Sequence, residues 1–72
     1  MAKSKLYKAV DKIDGTMCVW LVKDKGVAVS SHERGDAGEI KLCKAVDERG
    51  GFSFMSISRF ADAIDPILIA EW

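Results

Sequence analysis

The pattern of hydrophobic and polar positions is clearest in the middle of the chain. Thr16 to Lys23 is rich in β-branched and aromatic residues, and Met17 to Val22 is an unbroken apolar run. Such a run reads as a strand covered on both faces. Asp24-Lys25-Gly26 supplies turn chemistry and Val27-Ala28-Val29 returns, so a hairpin with a second strand over 27–32 is expected. Ser30 to Gly38 reads as the one long loop. Further on, Phe52 and Phe54 share one face of a strand while Met55 and Ile57 take the other.

An internal likeness organises the rest. Lys5-Leu6-Tyr7-Lys8-Ala9-Val10-Asp11 returns 36 positions later as Lys41-Leu42-Cys43-Lys44-Ala45-Val46-Asp47, with six of seven residues identical. Each copy leads through a glycine (Gly15, Gly51) into an apolar stretch. Two copies are too few for a solenoid, but two 36-residue pseudo-repeats can pack as similar units. The segment itself is ambiguous. Leu6, Ala9, Val10 and Ile13 fall at helical spacing, whereas the turn residues after each copy favour strand–turn–strand. Two similar β-hairpins, over 5–22 and 40–58, are the expectation, with helix as the alternative for 5–13 and 40–47.

Ser58 is placed to cap a short helix over 59–65 carrying Phe60, Ala61 and Ile64 inward, with Pro66 stopping it. The alternative is that Asp65-Pro66 opens a second helical turn, with Asp as cap and Pro at the first position. The β-rich Ile67-Leu68-Ile69 favours a closing strand over 67–71. The fold class that follows is α+β: one 72-residue domain with a small antiparallel sheet or partly open barrel of about five strands. One short C-terminal helix completes it.

Composition narrows the function classes. The chain is 49% hydrophobic with eleven bases against eleven acids, which argues against disorder. A core this small supplies about 3–5 kcal/mol, so a partner protein or a second copy adds useful burial. The longest apolar run falls short of the roughly 18 residues of a bilayer span, and no signal-peptide core follows the basic start. Two cysteines make no disulfide framework. A cytoplasmic protein with reduced thiols and no membrane contact is expected. The charge is distributed unevenly: seven bases face five acids up to residue 36, and four face six after it.

Sites for chemistry are sparse. A Cys-His dyad of His32 with Cys18 or Cys43 is conceivable, but both cysteines lie in apolar segments, where small buried thiols are ordinary. Cys18, His32 and Cys43 lack zinc-knuckle spacing. Asp11, Asp14, Asp24, Glu33, Asp36, Asp47 and Glu48 cluster at turns, where aspartate serves local hydrogen bonds. The glycines at 35, 38, 50 and 51 match no phosphate-binding loop. A non-enzymatic protein without cofactor or metal is expected.

Two binding readings remain. Single-stranded nucleic acid would be served by Tyr7, Trp20, Phe52 and Phe54 as stacking surfaces beside Lys8, Lys23, Lys25 and Arg49. The run Phe54-Met55-Ser56-Ile57-Ser58-Arg59-Phe60, strand then helix, resembles the end of single-stranded-DNA-binding coactivator domains. That likeness covers about ten residues around this run and carries no diagnostic motif. The zero net charge counts against nucleic acid. The favoured expectation is a small regulatory or adaptor domain that binds another protein or a second copy of itself. By analogy alone, such domains are common among phage and mobile-element regulators, transcription regulators among them. The expected contacts are Lys5 and Lys8, the loop residues His32, Glu33 and Arg34, and the terminal Trp72, which either docks on its own core or offers an anchor.

Overall fold

The computed structural model describes residues 4–30, 36–55 and 58–72. Strands β1 (Lys5–Val10), β2 (Met17–Lys23) and β3 (Gly26–Ser30) are followed by helix α1 (Ala37–Glu48). A single helical turn, α2 (Ser58–Ala61), leads into strand β4 (Ile64–Glu71). The strands form one open antiparallel sheet in the order β3-β2-β1-β4. The α+β class stands, with four strands in place of about five and no barrel closure.

The apolar run of β2 sits in the middle of this sheet, and both of its faces are covered. On one face Leu6, Val19, Leu21 and Ala28 pack with Cys43 of α1, joined by Ile40, Phe52 and Phe54. On the other, Ala9, Cys18, Trp20 and Val27 pack with Phe60 and Tyr7. Trp20 is fully buried, and its indole Nε1 donates to the Ala9 carbonyl at 3.1 Å, so its polar atom is satisfied inside the core. Phe60 lies 5.0 Å from Tyr7 and 5.7 Å from Trp20, centroid to centroid. Among the described residues no helix is long and apolar enough to cross a membrane.

The second hairpin, over 40–58, is not formed. The first copy of the near-identical heptapeptide is strand β1, and the second lies inside α1. Flanking residues account for the difference. Asp36 caps the helix by accepting from the Glu39 amide at 2.9 Å, the Asx cap that satisfies an orphan N–H. At the other end Gly50 takes a left-handed φ of 69°, while Gly50 and Gly51 donate to the carbonyls of Asp47 and Val46. This glycine-terminated end satisfies last-turn carbonyls. The first copy also meets a left-handed glycine, Gly15 (φ 73°), but there the glycine closes a tight turn in which Asp11 accepts from the Ile13 amide and, through its carbonyl, from the Gly15 amide. There it pairs in full register with β2, Leu6 against Leu21 and Ala9 against Cys18.

The C-terminal region also differs from expectation. The helical turn ends at Ala61, where the Ala63 amide bonds back to the Phe60 carbonyl at 2.9 Å. Ile64 therefore opens β4 and is exposed, as Ala61 is. The closing strand is longer than 67–71. It carries Pro66 within it, preceded by a bulge at Asp65, whose φ is 50°. The expected strand over 27–32 is present as far as Ser30, and residues 31 and 32 lie outside the described residues.

Candidate binding edge

Sequence expectation placed the contacts at the chain's start, its loop and its last residue. His32, Glu33 and Arg34 lie outside the described residues. Trp72 docks on its own domain. Its amide and carbonyl exchange bonds with Ser4 at 2.9 and 2.8 Å, extending the β1–β4 ladder by one step. Its indole Nε1 donates to Asp47 Oδ2 at 2.9 Å, and its ring joins the core under α1.

Asp47, near the C-terminal end of α1, is the hub of this corner. It accepts from Ser4 Oγ at 3.1 Å and from Lys23 Nζ at 3.1 and 3.3 Å, besides Trp72. Burial pushes its carboxyl up, but the hydrogen bonds from Trp72, Lys23 and Ser4, with the Lys23 charge, outweigh it and hold the group below its ordinary range. Helix, N-terminus, β2 and C-terminus thus meet on one carboxylate.

The matching aspartate of the first copy, Asp11, is buried and paired with Arg59. The Asp11 bond raises the Arg59 guanidinium above its ordinary value against the opposing effect of burial. Arg59 also lies over the Trp20 ring, 5.9 Å from its centroid. With Lys12, Ile13, Ser58 and Asp62 this pair lines a cleft of about 290 Å³. Cys18 and Cys43 are both buried and free. Burial, with the nearby Glu39 carboxylate, raises the Cys43 thiol. That direction is opposite to a thiol activated as a nucleophile.

The residues named for nucleic acid do not form one surface. Trp20 and Tyr7 belong to the face under α2, whereas Phe52 and Phe54 belong to the face under α1. Trp20 has no exposed ring, and Lys23 is engaged by Asp47. Lys25 is exposed in the β2–β3 turn, and Arg49 is exposed at the end of α1.

The exposed apolar side chains gather elsewhere. Among the described residues the large ones are Ile13, Leu42, Ile64, Ile67 and Leu68; three of these five lie on β4, and Ile67 is 61% exposed. β4 is an outer strand, paired with β1 on one side and with no strand on the other among the described residues. Its register sets Ile64 opposite Val10 and Ile67 opposite Lys8 on one face, with Leu68 opposite Tyr7 on the other. Ile13 occupies the β1–β2 turn, beyond the same end of the sheet as Ile64. Sequence reading identified the strand but not its place at an edge. The β-rich Ile67-Leu68-Ile69 marks a strand, but nothing local to it says which neighbours it acquires.

Lys5 is exposed and lies opposite Glu71, which puts it beside this edge, and Lys8 lies opposite Ile67. Two of the expected contact residues therefore lie on the strand that adjoins this edge. No family model, curated protein or solved structure matches the chain.

Proposed function

We propose that this protein is a small non-enzymatic regulatory or adaptor domain that binds another protein along β4. One observation carries the reading: Ile64, Ile67 and Leu68 stand exposed on an outer strand with no further strand beyond it among the described residues. An exposed edge of this kind is a template for an added strand, with main-chain bonds supplying affinity and side-chain pockets specificity. Lys5 and Lys8 on the adjoining β1 contribute to the rim. The small core makes bound partner surface a meaningful addition to stability.

A photo-crosslinking residue at position 67 or 68 tests the reading in cells that make the protein. It should capture one protein, unaffected by nuclease, while the same residue at Leu42 or Asp24 captures none. Capture only of nucleic acid, or equal capture from all four positions, overturns the proposal.

A further inference from the structure

We propose that the occupant of the β4 edge is an extended, basic segment of a different protein, and that a second copy of this chain does not pair there. The inference rests on the reading of β4 as a docking edge and adds the chemistry of the partner.

Charge is the first argument. From residue 60 to the end, the chain holds Asp62, Asp65 and Glu71 and no base. All three acids are exposed. Glu71 lies opposite Lys5, so one end of the edge is partly neutralised by β1. Asp62 and Asp65, at the other end, take part in no ion pair among the described residues. An incoming strand therefore meets an apolar stretch, Ile67-Leu68, with exposed acid on β4 itself beside its start, while the bases Lys5 and Lys8 lie one strand further in, on β1. Lysine or arginine next to an apolar run answers that pattern, and like charges placed opposite one another are destabilising.

Symmetry is the second argument. A second copy would pair its own β4 antiparallel about a two-fold axis, so every liability occurs twice. Antiparallel pairing brings the Asp62–Asp65 end of each copy toward the Glu71 end of the other, twice per dimer. Pro66 has no N–H to donate to a ladder, and the bulge at Asp65 bends the strand just before it. A symmetric pair suffers both defects in both strands, whereas a foreign strand meets one of each. Proline, acid and bulge on an outer strand are features that suppress self-pairing.

The test uses the full chain and three fluorescent peptides sharing one alternating Val-Thr core, flanked by Lys, by Ser or by Glu. Anisotropy should show the Lys-flanked peptide binding about tenfold more tightly than the Glu-flanked one at low salt. The difference should shrink at high salt, as screening shortens. The double change Asp62→Asn with Asp65→Asn should remove the preference while binding persists, and Ile67→Asp should weaken all three peptides. Light scattering should find the chain monomeric. Equal binding of the three peptides overturns the charge inference and leaves the docking edge standing. A dimer dissociated by Ile67→Asp does the same, naming a second copy as the occupant. No binding of any peptide by a monomeric chain overturns the docking edge itself, and this inference with it.

Discussion

The two edges of the sheet are treated in opposite ways. At β3, the segment after α1 runs alongside and bonds to it: the Val27 amide donates to the Met55 carbonyl at 3.1 Å and the Met55 amide returns the bond at 2.8 Å. The approach is so close that a Cβ on Gly26 would collide with the Met55 carbonyl oxygen. At β4 no segment among the described residues does the same. Val27 is buried, while Ile67 and Leu68 stand exposed. Comparable β-forming residues thus serve as core at one edge and as surface at the other. What separates them is whether the chain returns to cover them.

The comparison breaks most severely at Gly26. Its φ of 132° lies in a region that side chains rarely adopt, and the Met55 carbonyl leaves no room. Gly26→Ala should cost about 3 kcal/mol, most of the stability of so small a domain. Chemical denaturation should show the loss, and amide exchange at Val27 and Met55 should quicken first. If those amides stay protected, the β3 edge is not held by this contact.

The next effect concerns the far end of β4, which is tied down although its edge is open. Asp47→Asn removes the charge that Lys23, Ser4 and Trp72 share, and should cost about 2 kcal/mol. At 4–8 °C per kcal/mol for a domain of this size, the melting temperature should fall by about 8–16 °C. The pH dependence has a definite sign. Because the folded carboxyl is held below its ordinary 3.8, its contribution is fully present above that value. It fades as pH falls through the lower folded value. Melting curves of the two proteins should therefore converge in strong acid and stay parallel from about pH 5 upward.

Trp72→Phe is milder. It keeps a ring in the core and deletes only the indole bond to Asp47, for about 1 kcal/mol. A larger loss would mean that the indole itself packs more tightly than its half-buried position suggests.

The smallest expected change in stability is at the open edge. Ile67→Lys should alter it by no more than about 0.5 kcal/mol, because the side chain is mostly in water. Yet the same change should diminish crosslinking from position 68. A stability loss comparable to that of Asp47→Asn would show that β4 is covered in solution, and would erase the contrast between the edges.

Much of the sheet was legible in the residues. The run Met17–Val22 became the central strand, and the turn at Asp24-Lys25-Gly26 returned the chain as β3, because β-branched and aromatic density with turn chemistry is local information. The outer edge at β4 was less so. Ile67-Leu68-Ile69 announced a strand, but whether an apolar strand is central or outer depends on how many neighbours it acquires. Trp72 posed the same problem. Its partners Ser4 and Asp47 are remote in sequence, and the Asp47 hub assembles only when helix, β2 and both ends meet.

The near-identical heptapeptides mark the boundary most sharply. The sequence alone determined an α+β domain with a central apolar strand, turns at its glycines and a helical turn before a closing strand. It also determined that Leu-x-Lys-Ala-Val-Asp suits either a helix or a strand, since its propensities are balanced. Tertiary structure decided between them. Leu6 is buried against Leu21 within the sheet, whereas Leu42 faces outward from α1 and is half exposed. The physical reason is that the Asp36 cap and the Gly50 terminus stabilise one copy locally, while the other is held by hydrogen bonds to a strand that only the folded chain supplies.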